Sequence, residues 1–325
     1  MVTNKRSRLP GLIIPLIFVA IAAAVIFRQQ DILDWWALRD YTAPAAVQTL
    51  ASDTTMNDYS RKIFFVNKPQ IQDKAAFYIS CEEGETSIVL GCYKPRDGIY
   101  VLDVEDARLD GIEQVTAAHE MLHAAYERLS KSQKQVIGKQ INDFYATLAN
   151  EQIKAKVNLY VTNNADITNE LHSILGTEVA NLSPELETYY QKYFTNRSKI
   201  VAFADQYQAV FSDRKNKLAA YDAQLIEIES QVKANNADLD SQQNIITAAS
   251  QRLDKLLQQN KRDEYNEGVI AYNQQIIPFK ELIAETKALI AQYKTILDAR
   301  NQVAVEAQEL NKALDSRIDT TVNTP

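Results

Sequence analysis

All three histidines of this 325-residue chain fall between His119 and His172. Two of them belong to His119-Glu120-Met121-Leu122-His123, a His-Glu-x-x-His spacing. On an α-helix this spacing sets His119 and His123 one above the other on a single face, so both imidazoles reach one ion. Glu120 points aside from that row, close enough to hold a water on the ion. Zinc suits imidazole ligands and lowers the pKa of such a water toward neutrality, and the Glu120 carboxylate is placed to take its proton as it attacks a carbonyl.

The elements around the motif must supply that helix. Asp110-Gly111-Ile112-Glu113 opens it with an acid at the cap and a Glu three places on, and the helical pattern runs to about Leu129. Upstream, Lys62 to Val66, Ala75 to Cys81, Ser87 to Tyr93 and Gly98 to Leu102 are rich in Ile, Val, Phe and Tyr and predict a small sheet. Downstream, helical patterns cover roughly 133–148, 151–161 and 168–175, and Ser183-Pro184-Glu185 starts another with a cap and a Pro at the first helical position.

The motif in this setting resembles the zincin metallopeptidases, and more narrowly their gluzincin branch. The resemblance covers about residues 60–195. It implies a third zinc ligand that is a Glu on a later helix, and a sheet whose edge strand, upstream of the motif helix, binds substrate backbone by strand addition. Asn169-Glu170-Leu171-His172 looks like the opening of that later helix. His119 and His123 would then be ligands, Glu120 the general base and Glu170 the third ligand, with Glu178 as its alternative and Ile99 to Asp103 as the edge strand. His172 sits about 200° around a helix from Glu170, so one ion does not take both. His172 ranks behind Glu170 and Glu178 as third ligand; if it is not one, it is expected to orient a ligand, to stabilise the oxyanion, or to be a plain helix-surface histidine. Nothing in the sequence singles out one oxyanion donor among Tyr126, Tyr160, Tyr189 and Tyr190.

Composition sets the frame around this region. Only 8 Gly and 8 Pro in 325 residues argue against a turn-rich all-β fold. A net charge of −7, with no basic stripe, lacks the footprint of a nucleic-acid binder. Leu9 to Phe27 carries no charged side chain, follows Lys5, Arg6 and Arg8, and precedes Trp35 and Trp36. This is the pattern of a signal anchor with a cytoplasmic N-terminus, although Ala20 to Ala24 also offers a signal-peptide cleavage site. Either way the remainder is exported, and Cys81 and Cys92, in two β-rich runs around Glu82 to Glu85, are expected to form a disulfide across a hairpin.

Beyond residue 196 the apolar residues recur every seven positions: Leu218, Leu225, Val232, Leu239, Ile246 and Leu253, then Val269, Ile276, Ile283, Ile290 and Leu297 with Tyr265, Tyr272, Phe279 and Tyr293. The frame breaks between Gln258 and Gly268. Two seams with a break predict an antiparallel helical hairpin with Asn235 and Gln242 as polar seam positions and a kink at Pro278, parallel association with another chain being the alternative.

The expected architecture is α+β: a cytoplasmic tail (1–8), a transmembrane helix (9–27), a linker (28–55), a small mixed zincin-like domain (56–195), an all-α coiled-coil hairpin (196–318) and a tail (319–325). The expected function is that of a single-pass membrane protein whose extracytoplasmic domain hydrolyses peptide bonds of protein or peptide substrates with zinc. The hairpin is expected to offer a surface for a coiled-coil partner or self-association. The alternative from a different class is a non-catalytic membrane-tethered scaffold or regulator at the cell envelope.

Overall fold

The computed structural model describes residues 28–81, 89–162 and 166–316. Eleven α-helices and one sheet are found among them. The first stretch holds α1 (Gln29–Leu38), α2 (Ala45–Asp53), α3 (Asp58–Val66), β1 (Gln70–Gln72), α4 (Lys74–Cys81), β2 (Gly91–Lys94) and β3 (Gly98–Leu102). Then come α5 (Ile112–Glu127), α6 (Lys131–Thr147), α7 (Glu151–Thr162), α8 (Ile167–Glu178), α9 (Pro184–Tyr190), α10 (Arg197–Gln258) and α11 (Arg262–Leu314).

The α+β expectation is overturned, because the structure is 78% helical with only a three-stranded sheet. Two of the segments read as strands are helices. Asn57 accepts the amides of Tyr59 and Ser60 as the N-cap of α3, and the buried Ser60, Ile63 and Phe64 fall at helical spacing. Asp73 does the same for α4 through the Ala76 amide, at 2.9 Å. In both cases a cap residue ahead of the helix outweighs β-rich composition, joined in α3 by a 3.6-residue burial period. Residues 28–55, read as a linker, contain α1 and α2. The transmembrane helix expected at residues 9–27 lies outside the described residues, and among those described no helix is long and apolar enough to cross a membrane.

The sheet has the order β1-β3-β2, with β1 parallel and β2 antiparallel to β3. Ile99 to Leu102 therefore lies in the central strand, and the strand expected at the edge is not there. The edge beside the motif helix is β2. The Cys81–Cys92 disulfide is present, with its Cα atoms 5.9 Å apart, but it ties the end of α4 to β2 and not two strands of a hairpin.

The core gathers where α5 packs against α8, with Ala118, Met121, Leu122, Leu171, Ile174 and Leu175 all essentially inaccessible. Close approach of the two helices depends on Gly176. A Cβ there would stand 2.4 Å from Leu122 Cδ1 and 2.8 Å from Tyr190 Cε1. Arg197 then closes the far end of α8. Its buried guanidinium donates to the carbonyls of Leu175, Val179 and Ala180 and pairs with Glu187, satisfying acceptors that the helix leaves open. The N-cap of α5 is Gly111 and not Asp110. Glu113 accepts the Val104 amide, so the expected capping box is absent.

Ala209–Lys312 forms a second compact unit. Within it α10 and α11 are antiparallel, joined by a turn at 259–261: Arg214 faces Glu306, Asp222 bonds Arg300 at 2.9 Å, and Gly268 lies against Leu253. The heptad reading holds for Leu225 and Ile246, which are buried, but Ile290 is 41% exposed, and the buried Thr286 fills the gap in the row of Tyr265, Tyr272, Phe279 and Tyr293. Pro278 is carried inside α11.

Asp34 on α1 is 2% exposed and accepts two 2.9 Å hydrogen bonds from the Arg128 guanidinium just beyond α5. Removing one partner of such a pair leaves a buried charge uncompensated. Asp34→Ala should therefore lower the unfolding free energy by about 3 kcal/mol, measured as a reduced urea midpoint at unchanged slope.

Candidate metal centre

Helix α5 carries His119 and His123 on one face, with ring centroids 4.7 Å apart. Helix α8 presents Glu170 in its first turn, where the helix N-terminus favours a carboxylate. Asp166 caps that turn by accepting the amides of Thr168 and Asn169. The two helices bring Glu170 Oε2 to 3.6 Å from His119 Nε2 and Glu170 Oε1 to 3.6 Å from His123 Nε2. One ligand atom each from His119, Glu120 and His123 also lies within 4.8 Å of the others, so the cluster is able to hold a metal ion.

The separations test what this site is built for. At 3.6 Å the carboxylate and imidazoles are too far apart for good hydrogen bonds, and the buried Glu170 Oε2 has no hydrogen-bond partner. Ligands at zinc distances near 2.1 Å in a tetrahedron stand about 3.4 Å from one another. Both observations fit a shared ion among the three side chains better than a direct bond between them.

The electrostatics of the cluster set the two imidazoles apart. Burial drives His119 toward neutrality, but the Glu170 carboxylate, with Glu120, outweighs it and holds the imidazole pKa above its ordinary value. His123 is pushed down to about 4 by burial and by the neighbouring His119, which keeps it in the neutral form a metal requires. Burial alone would raise Glu170, yet the two imidazoles keep its pKa below the usual carboxylate value.

No protein-family model, curated protein or solved structure matches the chain.

The other expected residues separate cleanly. Glu178, the alternative ligand, bonds Lys156 Nζ at 2.5 Å through Oε1 and Gln208 through Oε2, so both its oxygens are engaged away from the histidines. His172 is fully buried on the side of α8 turned to the core. It bonds the Tyr189 hydroxyl at 2.8 Å and is ringed by Tyr126, Tyr190 and Tyr193. It neither reaches the ion site nor faces the cavity, and its role is packing. Tyr189 and Tyr190 belong to that same core cluster, which removes them as oxyanion donors.

A cavity of about 480 Å³ opens over the cluster, lined by Gly91, Glu120, Lys156, Tyr160, Glu170 and Tyr207 among others. Two of these residues escaped sequence reasoning. Gly91 lets β2 lie directly against α5: a Cβ there would meet Thr116 Cγ2 at 2.4 Å and Glu120 at 2.9 Å. Its only sequence signal was a glycine inside a strand-like run, the mark of close backbone approach. Lys156 reads in the sequence as an ordinary charge on an amphipathic helix.

Two outcomes follow from this packing. Gly91→Ala should displace Glu120 without touching the imidazoles, and metal affinity by equilibrium dialysis should stay within about threefold while any hydrolysis falls at least tenfold. The second concerns acid. Burial lowers His172 from 6.5 to about 3, so between these values the unfolded chain binds more protons and stability rises with pH. The metal-free protein should thus lose stability as pH falls from about 6.5 toward 3, with His123 adding to the same slope, and His172→Phe should flatten the profile in urea titrations at stepped pH.

Proposed function

We propose that the chain is a zinc-dependent peptide-bond hydrolase of the gluzincin kind, with His119, His123 and Glu170 as metal ligands and Glu120 as general base. The observation that carries this reading is the convergence of Glu170 from α8 on the two Nε2 atoms of α5, each 3.6 Å from one of its oxygens, with Glu120 beside them on the cavity wall. When bound, zinc would supply Lewis acidity and a water of lowered pKa.

The chain's own residues supply the rest. Glu120 is 6% exposed, so its carboxylate faces little competing solvent. It takes a proton from the attacking water as the carbon–oxygen bond forms, and returns it to the amide nitrogen as the carbon–nitrogen bond breaks. Among the described residues β2 is an edge strand of the sheet and runs beside α5 at Gly91, a position from which an extended substrate would be met by strand addition. Val115, Tyr126, Tyr160 and Tyr207 contribute apolar and aromatic surface to a cavity wall that also carries Lys156, Glu170 and Glu178. The Cys81–Cys92 disulfide supports a compartment that keeps thiols oxidised, and hence an extracytoplasmic site of action.

Metal analysis of the purified chain is the first test, with about one zinc per chain expected. Glu120→Gln should retain the zinc and lose hydrolysis of an unstructured peptide pool, read by mass spectrometry, by at least about 100-fold. His119→Ala should lose both. A wild-type chain that binds no zinc tightly overturns the reading. A zinc-loaded chain in which Glu120→Gln cleaves as well as wild type removes the assigned base.

A further inference from the structure

The cavity contains a charged pair that the proposed reaction has not used. Lys156 and Tyr160 lie one turn apart on α7 and both line the cavity that holds Glu120 and Glu170. Glu178, whose side chain is only 2% exposed, bonds Lys156 Nζ at 2.5 Å through one oxygen and accepts from Gln208 through the other. A buried carboxylate held from both sides is a fixed anchor. It engages one of the three N–H groups of the ammonium, while Lys156, its side chain 35% exposed, is part of the cavity lining. From the geometry we infer that Lys156 is the donor that stabilises the scissile carbonyl oxygen as that oxygen takes on negative charge.

This deepens the metallopeptidase reading and rests on it. The chemistry of the pair favours such a role. Glu178 holds the Lys156 ammonium charged against the cost of desolvation, and its charge is felt at both His119 and Glu170. A donor fixed in advance needs little reorganisation when charge appears, and this is where hydrogen-bond donors contribute most to rate. Glu178 thereby becomes a positioning residue: it aims Lys156 and touches no substrate. This also gives a reason for a buried ion pair beside a metal centre, where an apolar pair of similar volume would be no worse for stability.

The test uses the full chain loaded with cobalt, whose visible absorption reports the ligand set, and inorganic phosphate as a tetrahedral oxyanion probe. Lys156→Met should bind cobalt with an unchanged spectrum but take up phosphate about tenfold more weakly, the loss of one charge-assisted hydrogen bond. With the peptide pool, its kcat should fall about 100-fold while KM stays within about threefold. Lys156→Arg should recover most of both. If Lys156→Met fails to fold because Glu178 is left unpaired, Lys156→Met/Glu178→Gln removes the uncompensated charge and carries the same expectations. Phosphate affinity and kcat equal to wild type in a cobalt-loaded variant overturn the role of Lys156 and leave the metallopeptidase reading standing. A wild-type chain that binds no cobalt overturns the reading beneath it.

Discussion

The docking of α8 onto α5 is the contact on which the rest of the site depends. The two imidazoles come from α5 and the facing carboxylate from α8, so the 3.6 Å approaches to Glu170 exist only while the helices remain packed. Gly176 permits the approach by leaving room for Leu122 and Tyr190, and Arg197 holds the C-terminal end of α8 by its carbonyls. The His172 and tyrosine cluster fills the space behind α8. Glu170 meets the imidazoles on one side of this helix and the packing core lies on the other. Residues two apart, Glu170 and His172, can therefore serve unrelated ends.

The cavity concentrates charge in a setting where each charge must be matched. Glu170 lies against two imidazoles, Glu178 against Lys156, and Asp34 at the other end of α5 against Arg128. Buried carboxylates without partners would be costly, and these three lie against a lysine, an arginine and the imidazoles. This arrangement resolves the choice between Glu170 and Glu178 on physical grounds. Both lie on α8 and both are acidic, but Lys156 occupies one and leaves the other to the histidines.

How much of this was legible in the sequence depended on the range of the forces involved. The motif helix, its neighbours downstream, and the antiparallel hairpin could be read because helical period and heptad repeat are local patterns. The segments 62–66 and 75–81 could not, because β-rich composition and a short helix face overlap in so few residues. Asn57 and Asp73 held the missing signal, as caps just ahead of each helix. Ile290 kept the seven-residue period but not the seam position, since a helix with apolar residues on adjacent rows lets the partner helix choose between them.

By itself the sequence determined the His-Glu-x-x-His face, the pairing of Cys81 with Cys92, and the break that folds the long helices back on each other. Each follows from residue type and spacing within one or two elements. Only tertiary structure decided that Glu170 and not Glu178 meets the imidazoles, that β2 and not β3 is the edge beside them, that Gly91 makes room for Glu120, and that Lys156 faces the same cavity. Those assignments depend on which surfaces exclude one another when distant segments pack, and steric exclusion between elements leaves no periodic trace along the chain.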